Sequence, residues 1–539
     1  VQTSTIDQTR PAAPGSPGHG HRTGLIRSAA QLGLGTFASR LLGLGRDMSR
    51  AWLFGTGPAA DAFTVAFRLP NLLRALFAEG ALSAAFVPVL ARYIEEKDRG
   101  EFEDFLHAFA TIFLLCLLAV SLLGILLAPL VVPLIVQGFE SVPGKIDLTV
   151  RLTQFLFPYI LLISLATLMM AVLNCLGHFS APAFSPALLN VAMILGALFV
   201  CPRLGVTPER QIYGLAGAVL VGGCLQVGIQ LPPLLRRKIR PRLRWAIRHP
   251  GIRQVALLML PGVVGIAAAE INVFVDTLMA SSLEAGSVAA LEYGQRVMQL
   301  PLGIFAVALG TAVLPALSRQ AAAGQRDALR DTFGFSLRLT WLVLVPASVL
   351  LIVLARPILT VLFERGAFRT GDSLRMTTVA LSFYSVGLCA YGSVKSLVPV
   401  FYAHQNTRYP VRCSITAMFA NIALILVLMG PLQLGGLALA TALASFLNVV
   451  LLFRGLRKNL GLDPPAGLVA AAGRFLAASL LGGCVAYACD RWIPLPAPPR
   501  LAAAGTGGIL AYIVVLTAMG AEEPRDLWTI LGGRLRRKG

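Results

Sequence analysis

The sequence predicts an all-α polytopic membrane protein of about 14 transmembrane helices, built as two six-helix repeats followed by a C-terminal helix pair. Three observations predict it: an apolar excess that no water-soluble core would absorb, basic blocks that alternate along the chain, and an internal repeat of about 228 residues. Of the 539 residues, 56% are hydrophobic and 13% are charged, and the mean hydropathy is +0.74. A soluble domain carries about 25% charged residues. Lipid accommodates such an excess, whereas water does not. The formal charge is nonetheless +20, which suits a membrane protein whose cytoplasmic loops are rich in Lys and Arg. A nucleic-acid binder is the other reading of a basic chain. Here the basic residues are scattered between apolar runs rather than gathered on one domain, which argues against it.

A hydrocarbon core needs about 20 apolar residues per helical span. Fourteen stretches qualify: 24–45, 59–91, 105–137, 150–175, 183–202, 212–235, 255–282, 289–317, 336–363, 376–402, 411–430, 434–455, 470–489 and 503–520. Residues 1–22 are rich in Pro, Gly, Thr and Ser and read as a disordered tail. The eight cysteines lie in or beside apolar segments without metal-ligand spacing, so they read as small packing residues.

An even number of spans puts both termini on one side, and the loops say which. Residues 236–253 carry Arg236, Arg237, Lys238, Arg240, Arg242, Arg244, Arg248 and Arg253, whereas Glu284 to Gln295 contains no Lys or Arg. The segments 319–338, 408–412, 454–458 and 534–538 are basic again. Both termini and the basic linker are therefore expected in the cytoplasm, in a multi-pass membrane protein. Arg365, Arg369 and Arg375 are a mild exception, because they would fall outside.

Four landmarks recur at nearly one offset: Arg68 with Arg296, Pro88 with Pro315, Arg92 with Arg319, and Pro182 with Pro410. FVPVLAR at 86–92 also resembles VLPALSR at 313–319. The expected organisation is an N-lobe at 23–235, a basic linker at 236–254, a C-lobe at 255–458, a final helix pair at 459–521 and a basic tail at 522–539. Six is even, so the repeats share one orientation and pair about an axis along the membrane normal. Transporters of this plan hold their substrate between the halves.

The first two spans carry charges that a bilayer does not tolerate unaided: Arg40, Arg46, Asp47, Arg50, Asp61, Arg68, Arg74 and Glu79. Glu270, Asp276, Arg296 and Lys395 fall inside later spans. Each Arg at the bilayer centre costs roughly 2.5–3.5 kcal/mol on insertion scales. Such residues must pair, snorkel to an interface or line a wet cavity. Arg50 and Arg92, near helix ends, are expected to snorkel. Arg40 with Asp47, and Asp61 with Arg68, share helix faces and are expected to pair internally. For the set, a cationic cavity between the halves is the better account. Guanidinium forks bind phosphate bidentately, so a diphosphate is its natural guest.

The stretch SRLLGLGRD…GTGPAADAFTVAFRLPNLLRALFAEGALSAAFVPVLARY, from Ser39 to Tyr93, resembles the signature of the MurJ/MviN lipid II flippases of the MOP transporter superfamily. FPYILLISLATLMMAVLN (157–174), QLPLGIFAVALGTAVLPALSR (299–319) and VKSLVPVFYAHQNTRYPV (394–411) match as well, so the resemblance covers nearly the whole chain after residue 22. It implies two six-helix lobes around a central cavity, with the final helix pair forming a groove for a polyprenyl tail. It places the substrate-binding arginines at Arg40, Arg46, Arg74 and Arg296, and supporting or gating positions at Asp47, Asp61, Arg68 and Glu79. Ala75 and Gln299 depart from the family pattern, where a second Arg and an acidic residue are common. Some relatives bind sodium, and Asp276, Asn421 and Thr441 are the matching positions here, with Ala417 replacing one expected polar ligand. No other cofactor is implied.

The implied function is movement of lipid II, an undecaprenyl-diphosphate-linked muropeptide, from the cytoplasmic to the periplasmic leaflet by alternating access. This is transport in cell-wall biogenesis, not enzyme catalysis. The implied partners are lipid II, membrane lipids and cell-wall synthesis proteins, and not nucleic acid. An exporter of another polyprenyl-diphosphate-linked saccharide is the nearest alternative. A multidrug antiporter is a weaker one, because an Arg-lined cavity repels cationic drugs. No Walker loop or HExxH pair is present, and the six histidines are dispersed.

Overall fold

A computed structural model describes residues 38–75, 80–240, 242–246, 248–465 and 467–521. Glu79 and the two chain ends, including the expected disordered tail and basic tail, lie outside the described residues. Among the described residues every regular element is helical.

The first group comprises α1 (38–54), α2 (Pro58–Arg74), α3 (Gly80–Glu96), α4 (Arg99–Ile135), α5 (Lys145–Leu156), α6 (Tyr159–Cys175), α7 (Ser180–Leu195) and α8 (Pro208–Arg236). The second comprises α9 (Pro250–Ser281), α10 (Ser287–Pro301), α11 (Val307–Ala322), α12 (Arg326–Val353), α13 (Ala355–Phe363), α14 (Ser373–Val386), α15 (Leu388–Ala403), α16 (Arg408–Leu432) and α17 (Leu434–Leu460). Then come α18 (Leu468–Trp492) and α19 (Ala497–Ala518), which pack on each other and on α12 and α13.

Among the described residues ten helical stretches are long and apolar enough to cross a bilayer, and the bent pair α14–α15 makes an eleventh. The helices α1, α2–α3 and α9 occupy the places of the three remaining expected spans. The landmarks of the repeat fall at matching points. Pro182 and Pro410 are each the third residue of their helices, α7 and α16, and Pro88 and Pro315 are each the ninth residue of theirs, α3 and α11.

Several spans expected as single rods are broken, and the breaks have causes. The stretch 150–175 divides at Pro158, where the ring removes a backbone donor. The stretch 289–317 stays helical but passes through a π turn at 302–306 directly after Pro301. The stretch 376–402 bends by 42° at Gly387, against whose α-carbon Ala442 of α17 packs. The outward faces confirm the solvent. Leu118, Leu122, Leu126, Leu130 and Leu134 of α4 are all more than half exposed, a stripe that water would penalise and acyl chains fill.

The two groups are sealed together at one face. There the α1–α2 turn meets the segments that precede α10 and α14. Thr56 donates to Ser373 Oγ from its backbone N–H at 3.2 Å and from its hydroxyl at 2.9 Å. Gly138 packs directly on the Ser281 and Ser282 backbone, and Gly366 on Trp52. No side chain would fit at either glycine.

At the same face the exceptional loop arginines find partners. Arg375 pairs with Asp372 at 3.1 Å and Glu284 at 3.3 Å, so its charge is compensated locally.

Candidate functional site

Between the groups lies a cavity of about 680 Å³, lined from α1, α2, α6, α7, α8, α10, α11 and α15. The structure brings together all four arginines expected to bind substrate. Arg40, Arg46, Arg74 and Arg296 all line this space, and Lys395 joins them. Asn71, Asn190, Gln226, Gln230 and Gln299 supply amide groups to the same wall. Gln299, which stands where some family members carry an acidic residue, thus lines the cavity as a neutral amide and offsets none of its positive charge.

Asp47 organises two of the cations. Its Oδ1 accepts from Arg46 Nε at 3.0 Å and from Arg46 Nη2 at 2.8 Å. Arg296 brings Nε to 3.1 Å from Asp47 Oδ2 across the gap between α1 and α10. That second approach is a charge contact without hydrogen-bond alignment, since Oδ2 accepts no aligned bond. Asp47 is 1% exposed, whereas the Arg296 side chain remains 41% exposed. The carboxylate is therefore spent on the protein while the Arg296 fork keeps surface for a ligand. Arg46 also donates Nη1 to Asn190 Oδ1 at 3.1 Å, and Asn190 in turn holds the Ser39 carbonyl at 3.0 Å. Arg74 donates to Asn71 Oδ1 at 3.2 Å. The Arg40 guanidinium packs on Gly303 of the π turn, a position where any β-carbon would collide with it.

Three sequence expectations are corrected here. Arg40 does not pair with Asp47, because the neighbouring Arg46 folds back onto that carboxylate and Arg296 takes its other oxygen. Asp61 does not pair with Arg68. Asp61 takes Lys145 at 2.7 Å, and Arg68 donates to Thr277 Oγ1 of α9. Arg50 does not snorkel. It is 3% exposed, and its guanidinium meets Glu292 at 3.0 Å and the Tyr293 hydroxyl at 3.0 Å in the opposite group.

Asp61 and Arg50 belong to the sealed face rather than to the cavity wall. Asp61 is 1% exposed and accepts from the backbone N–H groups of Gly286 at 2.6 Å and Ala289 at 2.8 Å. A side chain of α2 thus caps the N-terminus of α10, satisfying donors that the helix itself cannot. Glu292 accepts from Thr64 at 2.8 Å as well as from Arg50. Lys145, Glu292 and Tyr293 were not singled out from the sequence. One signal was available for Glu292: it lies four residues before Arg296, hence on the same helix face.

The expected ion-binding residues lie apart from the cavity, in the second group. Asn421 Nδ2 donates to Asp276 Oδ1 at 3.0 Å and to Asn272 Oδ1 at 2.9 Å. Asn421 and Thr441 line one pocket of about 360 Å³, with Asn272, Ser445, Asn448 and Ala417. Asn421 Oδ1 is buried without a partner, and Thr441 donates back to the Leu437 carbonyl at 3.1 Å. Asp276 is not among the lining residues of that pocket and adjoins it through Asn421; a carboxylate beside neutral oxygens, one of them orphaned, fits a hard cation in donor type. Among the described residues no group of three or more His, Cys, Asp or Glu is arranged to hold a metal ion.

Comparison with known proteins matches this architecture. The family profile described as lipid II flippase MurJ matches residues 50–495. The chain is 38% identical over 439 residues to a probable lipid II flippase MurJ of Vibrio cholerae, covering 80% of this chain and 83% of that one. It is 37% identical over 436 residues to the lipid II flippase MurJ of Burkholderia cenocepacia, covering 80% and 84%. Among solved structures, a lipid II flippase MurJ in an inward closed conformation superposes with a TM-score of 0.76 at 28% identity, covering 92% of this chain and 99% of that one. An inward-facing MATE-family multidrug transporter of the MOP superfamily superposes at 0.65 with 16% identity, covering 78% and 94%, which is a likeness of fold alone.

Proposed function

The chain belongs to the MurJ family of lipid II flippases, and from that premise we propose that it carries lipid II across the bacterial inner membrane with the diphosphate seated among Arg40, Arg46, Arg74 and Arg296. The observation that carries this reading is the convergence of four guanidiniums and Lys395 on one cavity between the helical groups. Cations that cost free energy to bury persist where an anion repays them. A diphosphate offers several acceptor oxygens, and the fork of Arg296 retains the exposure to meet them. The surrounding amides suit a polar muropeptide headgroup. Outward apolar side chains of the last helix pair, including Leu476, Leu480, Leu510 and Val514, offer the polyprenyl tail a path outside the cavity. A cationic drug meets the wrong sign of charge here, which disfavours the antiporter reading.

In this reading the sealed face is periplasmic and both termini are cytoplasmic, consistent with the basic 236–254 linker lying on the opposite side. The cavity then loads from the cytoplasm. Release requires the contacts of Asp61 and Arg50 with the second group to part. The test is complementation: the full chain should restore growth to a strain depleted of its own lipid II flippase, with directly measured lipid II translocation. Growth without restored translocation would refute the reading.

Sodium is the candidate coupling ion, held by Asp276, Asn421 and Thr441. When bound, it would supply a counter-charge for the Asp276 carboxylate. Asp276→Asn should abolish any sodium dependence of translocation in reconstituted vesicles while leaving membrane abundance unchanged. Sodium dependence that persists in the variant would remove Asp276 from the coupling machinery.

A further inference from the structure

On the side of the first group away from the central cavity, α4, α6 and α8 enclose a slot of about 380 Å³. Its walls are almost wholly apolar, built from residues such as Leu114, Leu165, Leu168, Val172, Val227 and Leu231. Arg240 and Arg242 of the linker that follows α8 stand at its mouth. The helices α6 and α8 each have two working faces. Ala166, Thr167, Gln226 and Gln230 line the cavity, whereas Leu165, Leu168, Val227 and Leu231 line the slot. The two spaces share no residue.

The linker is held in place over the slot. His107 Nε2–H donates to the Arg240 carbonyl at 2.9 Å, Thr111 Oγ1 accepts from the Arg244 backbone N–H at 2.9 Å, and the Arg244 guanidinium pairs with Asp104. Arg244 is thereby neutralised. Among the described residues the Arg240 and Arg242 guanidiniums have no carboxylate partner. Alternating with these cations, Leu243 is 82% exposed and Trp245 is 71% exposed. Large apolar side chains beside arginines are typical of backbone lying in the headgroup layer, where Trp is enriched.

We propose that this slot binds an anionic phospholipid of the cytoplasmic leaflet, one acyl chain lying between α4, α6 and α8 and the phosphate resting on Arg240 and Arg242. Apolar walls accept an acyl chain but not a headgroup. The two guanidiniums supply charge complementarity at the depth where the phosphate sits. The site is independent of the transported substrate, because none of its residues touches the cavity.

The test is native mass spectrometry of the delipidated full chain with dioleoyl phosphatidylglycerol, dioleoyl phosphatidylcholine or undecaprenyl diphosphate. Phosphatidylglycerol should bind at least about tenfold more tightly than phosphatidylcholine, a difference of roughly 1.4 kcal/mol. The Arg240→Gln/Arg242→Gln double variant should lose that preference. Ala110→Trp and Val227→Trp, which fill the slot from opposite walls with every charge kept, should lose phosphatidylglycerol binding too. All these variants should bind undecaprenyl diphosphate normally, which shows them folded and leaves the cavity reading untouched. Phosphatidylglycerol binding that survives both Trp variants would reduce the site to a charged surface and overturn the proposal. So would equal loss in Arg457→Gln, a basic residue remote from the slot, or selective loss of undecaprenyl diphosphate, which would make the substrate's tail the occupant.

Discussion

Arg296→Ala should abolish rescue of a flippase-depleted strain, and Arg46→Ala and Arg74→Ala should do the same, with each variant present in the membrane at parental levels. A charge-assisted hydrogen bond to a desolvated anion is worth roughly 1.5–3 kcal/mol, so losing one guanidinium should weaken lipid II binding by about ten- to hundredfold. The three sites are not equivalent. Arg46 is tied to Asp47 and Asn190, so its removal also strips a buried carboxylate of its nearest partner. Arg296, whose side chain stays 41% exposed, reports more directly on the ligand. Lys at position 296 keeps the charge and loses the fork, and should fall between the parent and Ala. Binding of purified variants to lipid II, measured beside growth, separates recognition from folding. Stable Ala variants at all three positions that bind lipid II normally and support growth would sink the cationic-cavity mechanism.

What the sequence reveals and conceals follows from range. The spans are legible because length and apolarity are local properties, and the repeat is legible because Pro88, Pro182, Pro315 and Pro410 punctuate both halves at one spacing. The cavity arginines are legible too, since a charge inside an apolar run demands an explanation wherever it sits. Their partners are not. Spacing along one helix suggested that Arg40 would meet Asp47 and that Asp61 would meet Arg68. The structure instead joins residues far apart in the chain: Asp61 with Lys145, Arg50 with Glu292, and Asp47 with Arg296. Nothing local encodes which helix will lie opposite. Glu292 is also hidden by its setting, because the stretch from Glu284 to Gln295 draws notice for its lack of Lys and Arg, although its second half already belongs to the 289–317 span. Broken helices were under-read for a related reason. Hydropathy averages over a proline or glycine that, like Pro158 or Gly387, interrupts the rod.

The same long-range pairing makes Asp61 the residue on which the sealed face most depends. Its carboxylate serves Lys145, Gly286 and Ala289 at once, joining the first group to the start of α10. Asp61→Ala would leave the Lys145 ammonium buried, with the Phe139 ring at 3.7 Å as its remaining charge-compensating contact among the described residues, and would uncap α10. Breaking a buried ion pair from one side costs roughly 3–5 kcal/mol. The ion pair lies within the first group, whereas the other two partners are amide donors across the interface; losing those charge-assisted bonds, at roughly 1.5–3 kcal/mol each, falls on the sealed state and shifts the population toward separation of the groups. A shift of 3 kcal/mol is about a hundredfold in the equilibrium. Ser287, 1% exposed at this face, is the position to watch. In a cysteine-free chain, Cys placed at 287 should resist a membrane-impermeant maleimide applied outside intact cells. Adding Asp61→Ala should make it react readily. Asp61→Asn retains an acceptor oxygen for the α10 donors but not the charge, and should give intermediate labelling. A Cys at Lys458, on the opposite face, should stay unlabelled throughout. External labelling at 458 would invert the proposed orientation. Protection at 287 that persists in an abundant Asp61→Ala protein would mean that Arg50, Glu292 and the glycine contacts hold the face closed without it.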